Sequence, residues 1–221
     1  MNTVRICSMI RLNCKHFIKI VNNMQNIKDD IHEKLLACGR DLLRSKGMDF
    51  LTARKLSEAS GCSIGMIYNQ FANMDEFVAE ENEFTLKELL AYLSNAKLDS
   101  DGYQNLMAGI KIFTDFVNDN RELWLLLYNF HLNHQMALSI NYRRCIVNLR
   151  RFISREFECL FPALKTKKRQ IIRNVFELGL FSFGAMITSA MLCKMKTEER
   201  DNLCMIFANA FLAGVTLLEE K

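Results

Sequence analysis

One proline and nine glycines in 221 residues leave few positions where the chain can turn tightly. A fold of many short strands needs such residues at nearly every connection, so an all-β sandwich or barrel is excluded and helices are favoured. The eight cysteines, at 7, 14, 38, 62, 145, 159, 193 and 204, include no CxxC pair and sit within apolar helical patterns. That spacing gives neither a zinc ribbon nor a disulfide framework, and it predicts reduced, mostly buried thiols in a cytoplasmic protein. The opening segment has no uninterrupted apolar stretch, because Arg5, Arg11, Lys15 and Lys19 break it, which excludes a secretory h-region. Two long uncharged runs, Leu178 to Cys193 and Asn202 to Leu218, hold 16 and 17 residues. A bilayer span needs roughly 20 mostly apolar residues, so both runs read as buried helices and no membrane partner is expected. Also missing are a GxSxG elbow, a P-loop and a GxGxxG after a strand, and the four histidines lack a triad context. Nothing in the sequence points to an enzyme or to a cofactor.

What is present is apolar bulk, 50% of the chain, with 24% charged residues, enough for a sizeable core and about one or two domains. The net charge of +4 is unevenly laid out. Residues 80 to 130 carry nine acidic side chains against four basic, whereas residues 131 to 174 carry ten basic against two acidic. The basic block reads as the solvated face of a helix, since Ile146, Leu149, Phe152, Ile153 and Phe157 recur at helical spacing opposite the arginines.

The first clear helix runs from Met24 to Lys46, with Ile27, Ile31, Leu35, Leu42 and Leu43 on one face, acids early, bases late and Gly47 as its stop. Residues 1 to 23 lack such a pattern and are expected to be a basic disordered tail or an upstream start misassigned ahead of Met24. Thr52 then caps a short helix to Ala59, with Leu56 and Ala59 inward. The Ser60-Gly61-Cys62 break follows, and Ser63 caps a second short helix, Ile64 to Gln70, with Ile67 inward. Two short helices joined by a glycine-containing turn form a helix-turn-helix. A long helix to about Asn95 and five more after a polar linker at Lys97 to Gly102 complete an all-α chain of about nine helices.

These residues are similar to the TetR family of bacterial one-component regulators. Gly47, Thr52, Arg54, Leu56, Ala59, Gly61, Ser63, Gly65, Tyr68, Phe71, Asp75, Glu76 and Phe77 match that family's headpiece pattern in register. The family usually places a phosphate-contacting lysine where this chain has Met74. The resemblance implies a DNA-binding domain at 24–72 and a ligand-sensing and dimerisation domain at 73–221. It also implies a homodimeric repressor released from a palindromic double-stranded operator by a small apolar or amphipathic effector.

Candidate residues follow. For DNA they are Thr52, Arg54, Lys55, Ser63, Ile64, Met66, Tyr68 and Asn69, the first three on phosphates and Asn69 suited to adenine. For the effector they are Phe84, Phe113, Trp124, Tyr128 and His131, in a region rich in aromatics with a few polar groups. For the dimer interface they are Phe181, Phe183, Met186, Ile187, Phe207, Phe211 and Val215, whose apolar surface is large for a monomer edge. His131-x-x-His134 has no acidic partner at ligand spacing, so no metal is expected. Two other readings stay open: a DNA-binding member that contacts a protein instead of a ligand, and a helical ligand-binding protein whose headpiece has weakened.

Overall fold

The computed structural model describes residues 29–96, 101–133, 139–189 and 195–219, and every regular element among them is helical. The expected N-terminal tail, most of the 97-to-102 linker, His134, Met191 and Cys193 lie outside the described residues. Helix α1, described over 29–46, stops at Gly47, whose φ of 83° lies where a side chain would be strained. A single 3₁₀ turn, Met48–Phe50, leads into α2 (Ala53–Ser60), α3 (Ile64–Gln70) and α4 (Met74–Ser94). The body follows as α5 (Gly102–Asp119), α6 (Arg121–Asn133), α7 (Ile140–Leu160), α8 (Thr166–Thr188) and α9 (Thr197–Glu219).

Short polar side chains set these boundaries. The Thr52 hydroxyl accepts the Lys55 N–H at 3.2 Å and that of Ser63 accepts the Met66 N–H at 3.2 Å, each satisfying an orphan donor of the first turn. Gly61, at φ 69°, ends α2 in the left-handed region and turns the chain into α3. Asn73 accepts the Glu76 N–H at 2.8 Å while the Glu76 carboxylate takes the Ala72 N–H, a reciprocal cap that fixes the entry of α4. Asp101 and Ser139 cap α5 and α7 in the same way.

The headpiece core is small and complete: Leu35, Leu56, Cys62, Ile67, Phe71 and Phe77 are buried together, with Phe71 and Phe77 edge to face at 5.0 Å. Phe77 belongs to α4, so the long helix is part of the headpiece core. Within α2 the expected inward Ala59 is exposed, and Ser60 is buried in its place. In the body, α4 packs on α5, α6 and α7, while α8 packs on α5, α6, α7 and α9. One cluster centres on Phe157 and Phe176 and another on Trp124, Leu127, Phe130 and Tyr142. Each buried Phe or Leu contributes about 1.5–3 kcal/mol of transfer free energy.

Helix α8 is long and apolar enough to cross a membrane by length and composition. Its first two turns carry Lys167, Lys168, Arg169 and Arg173, and Ile172, Phe176 and Leu180 are buried in the first cluster. Of the cysteines, Cys62, Cys145 and Cys204 are buried as expected, and burial pushes the Cys145 and Cys204 thiols up, but Cys159 is exposed.

The residues expected at a dimer interface divide by exposure. Ile187 and Val215 are buried, and Phe181, Phe183, Phe207 and Phe211 pack against the protomer's own clusters. Large aromatics fill the interior first because they remove the most apolar area from water. Only Met186 of the seven is exposed. The outward stripe instead joins Ile171, Val175, Leu178 and Met186 of α8 to Leu203, Ile206 and Leu217 of α9. On α9 the exposed Leu203, Ile206, Ala210, Ala213 and Leu217 recur at alternate spacings of three and four, which places them along one face of the helix.

Candidate nucleic-acid interface and internal cavity

Seven residues make α3, with no acid among them, and only Ile67 of the seven is buried. Ser63, Ile64, Met66, Tyr68 and Asn69 all face solvent, and so do Thr52, Arg54 and Lys55 beside them on α2. The eight side chains named from sequence for DNA therefore share exposed headpiece surface. A helix of this length presents hydrogen-bonding and apolar groups together, as readout of base edges in a major groove requires. Glu58 qualifies the electrostatics: it takes Arg54 Nε at 3.2 Å and Lys55 Nζ at 2.8 Å. The bond from Lys55, then that from Arg54, holds the Glu58 carboxyl below its ordinary value. A phosphate at this surface competes with Glu58 for both cations.

The headpiece meets the body through a buried ionic cluster that the sequence reading missed. Arg40 of α1 reaches Glu81 at 3.2 Å and Thr85 Oγ1 at 3.3 Å, bonds Glu88, and lies over the Phe84 ring at 4.6 Å. Arg40 and Glu81 are both almost fully buried. Desolvation pushes the Glu81 carboxyl up to about 7 against the pull of Arg40, and Glu81 Oε1 has no hydrogen-bond partner. Around the pair, His32 meets Glu80 at 2.8 Å and Arg44 meets Glu88 at 3.6 Å. The signal available in sequence was charge complementarity between a base-bearing α1 and an acid-rich α4. Gly39 permits the approach, since a Cβ there would stand 2.4 Å from the Phe77 ring.

Below this junction a cavity of about 640 Å³ opens among α4 to α8. Its wall is made by Leu86, Leu89 and Leu93 of α4, Leu106, Ile110 and Phe113 of α5, Trp124, Leu127 and His131 of α6, Ile146, Leu149 and Phe152 of α7, and Phe176, Leu180 and Phe181 of α8. Arg150, Asn174 and Glu177 are polar groups on the same wall. Of the five residues expected to touch an effector, Phe113, Trp124 and His131 line this space. Phe84 does not: it is 50% exposed and stacked under Arg40 at the headpiece junction. Tyr128 stacks on Phe181 at 5.0 Å outside the wall, one helical position from the inward-facing Leu127.

His131 Nδ1 lies 2.9 Å from the Leu127 carbonyl, which can only accept, so Nδ1 holds the proton and the ring presents Nε2 to the Tyr142 hydroxyl at 3.2 Å. Tyr142 is buried and its phenol is pushed well above the ordinary value. Among the described residues no group of His, Cys, Asp and Glu gathers as a metal site.

Trp124 is locked by Phe113 at 5.1 Å, Phe181 at 5.2 Å and the bare face of Gly184, where an added Cβ would stand 2.8 Å from the indole. Gly184→Ala is therefore expected to destabilise the protein by about 1–3 kcal/mol, the cost of overpacking a site that cannot yield. A denaturant titration checks it, and an unchanged midpoint would show that the indole moves freely.

No protein-family model and no curated protein sequence matches the chain. Solved structures do. A transcriptional regulator of Rhodococcus sp. Rha1 is 16% identical, with a TM-score of 0.61 over 83% of this chain and 96% of that one. A TetR-like transcriptional regulator of Rhodococcus sp. RHA1 is 17% identical, with a TM-score of 0.54 over 83% and 96%. BioQ, solved with its natural double-stranded DNA operator, is 13% identical, with a TM-score of 0.60 over 81% and 98%. Headpiece, junction and cavity thus sit in a shared frame: the chain has the fold of TetR-type transcriptional regulators.

Proposed function

We propose that the protein is a cytoplasmic, non-enzymatic transcriptional regulator that binds a palindromic operator as a homodimer and is released by a small apolar or amphipathic effector. The observation that carries this reading is the exposed face of α3, where Ser63, Ile64, Met66, Tyr68 and Asn69 stand without an acid on a helix backed by its own core. BioQ, of the same fold, was solved on its operator. One headpiece reads only a few base pairs, so two are needed, and the outward stripe of α8 and α9 supplies an apolar surface to join them.

Effector response runs through α4. Its residues 77 to 88 grip α1 through Phe77, Glu81, Thr85 and Glu88, and Leu86, Leu89 and Leu93 form the cavity wall directly beyond. A ligand that fits the cavity better with α4 tilted favours that tilt, changes the spacing of the recognition helices, and lowers operator affinity by the ratio of its affinities for the two states.

The decisive test is selection of bound duplexes from a random pool at physiological salt, with mass measured in solution. A palindromic motif bound by a dimer supports the reading, and recovery at nonspecific background only would sink it. One observation favours a weaker headpiece: Glu58 already pairs with Arg54 and Lys55, and Met74 stands at the start of α4. Met74 packs partly against the headpiece core, where a lysine stem fits equally well. Met74→Lys is expected to tighten DNA binding by about tenfold and to steepen the salt dependence by about one phosphate contact. Titrations across a salt series check this. An unchanged slope would place position 74 away from the backbone.

A further inference from the structure

The cavity's polar groups are unevenly placed: its two charged lining residues, Arg150 and Glu177, pair at one end beside a further cation, Arg173, that lies outside the lining. Arg150 of α7 reaches Glu177 of α8 at 3.0 Å through Nε, while Arg173, one turn before Glu177, stands 3.2 Å from its other oxygen. Two guanidinium groups therefore share one carboxylate. The Arg173 contact lacks hydrogen-bond geometry, since neither Arg173 Nε nor Glu177 Oε1 has a hydrogen-bond partner. The Arg173 side chain is held separately by Ser154 Oγ at 2.6 Å. Arg150 is the movable member: its side chain is 54% exposed against 16% for Glu177, although Arg150 also lines the cavity. Arg150 and Asn174 line the cavity and are exposed, so the cavity reaches solvent at this end between α7 and α8, as it does at the exposed His131. Apart from His131 and Asn174, the remaining lining is apolar.

We propose that the effector is an amphiphile with a linear apolar tail and a single carboxylate head, bound with the head on Arg150 and the tail along Leu149, Phe113 and Trp124. This inference rests on the effector-cavity reading above. A ligand carboxylate replaces the Glu177 carboxylate as the partner of Arg150, forming the same charge-assisted contact with the guanidinium fork. Glu177 keeps Arg173, so two cations face two anions and the excess positive charge at the opening is neutralised. The exchange also breaks the Arg150–Glu177 tie between α7 and α8, so head-group binding loosens one cavity wall against the other. A neutral head leaves that tie intact, and a cationic head meets Arg150 and Arg173 at close range.

The chain's single tryptophan lines the cavity, so its fluorescence reports occupancy directly. Full-length protein is titrated with laurate, dodecanol and dodecyltrimethylammonium below their micelle concentrations. Laurate is expected to bind about tenfold or more tighter than dodecanol, and the cation weakest. Arg150→Gln is expected to erase the laurate advantage and leave dodecanol unchanged, whereas Glu177→Gln, which frees Arg150, is expected to tighten laurate. Equal affinities for laurate and dodecanol, or a laurate affinity indifferent to Arg150→Gln, would overturn the head-group assignment while leaving the apolar cavity as an effector site. No fluorescence response to any of the three would overturn both the assignment and the cavity reading beneath it.

Discussion

Replacing Arg40 with alanine is expected to lower the free energy of unfolding by about 3–5 kcal/mol, the cost typical of breaking a buried ion pair from one side. Most of that cost lies in what is left behind. Arg40 supplies the contacts to Glu81 and Thr85, bonds Glu88, and covers the Phe84 ring. Without it, Glu81 is buried with no partner for either oxygen, because Oε1 already has none. A control separates charge from packing. Arg40→Met keeps the stem that fills the gap beside Phe84 and Gly39, and combined with Glu81→Gln it removes both buried charges, so most of the lost stability is expected to return. Arg40→Lys is not a mild change here, since one ammonium cannot span Glu81, Thr85 and Glu88 as a planar fork does. Urea melts of the four proteins check the set, and an Arg40→Ala cost below about 1 kcal/mol would mean that the cluster is as weak as a surface pair.

The junction also shows where sequence reading stops. Helix caps are local: Thr52 and Ser63 lie within three residues of the N–H groups they accept, so α2 and α3 were legible from spacing alone. Phe71 and Ile67 were legible for the same reason, by period. Arg40 was not. Taken alone it is a base near a helix C-terminus, where the macrodipole favours it, and only the docking of α1 on α4 turns it into the centre of a buried cluster. Tyr128 and Leu127 differ by one helical position, about 100° of rotation, and composition cannot say which of them faces the cavity. For the residues expected at a dimer interface the sequence stops at a related point. An apolar run all around a helix says that several sides are covered, but not which side faces the chain's own core and which faces a second copy. Exposure separates them within one protomer: Phe207 and Phe211 are half-buried against the chain's own core, and Leu203, Ile206, Ala210 and Leu217 are exposed.

Glu81 makes stability fall with rising pH. Its carboxyl is raised from 4.5 to about 7 by burial, so between those values the folded chain holds a proton that the unfolded chain has released. Stability from this group is complete below pH 4.5 and is lost as pH rises through about 7. The window corresponds to about 3 kcal/mol at about 1.4 kcal/mol per pH unit. The groups that face Glu81 are Arg40 and Arg44 from α1 and Glu80 from its own helix, with Glu88 and Thr85 sharing Arg40. Arg40 and Arg44 pull the Glu81 carboxyl down, and Glu80 acts in the same direction as burial. Exposed carboxylates such as Glu58, held low by Lys55 and Arg54, give the opposite slope in more acid solution. The clean quantity is therefore the difference between wild type and Glu81→Gln, which keeps an acceptor for Arg40 and removes the buried charge. At pH 8 the variant is expected to be more stable by up to about 3 kcal/mol, and the gap is expected to close as pH falls to about 4.5. Parallel stability curves from pH 4.5 to 8 would show that Glu81 stays ionised in the fold and that Arg40 outweighs its burial. The same titration bears on regulation, because the group that gains or loses the proton joins the helix behind the recognition surface to the helix that walls the cavity.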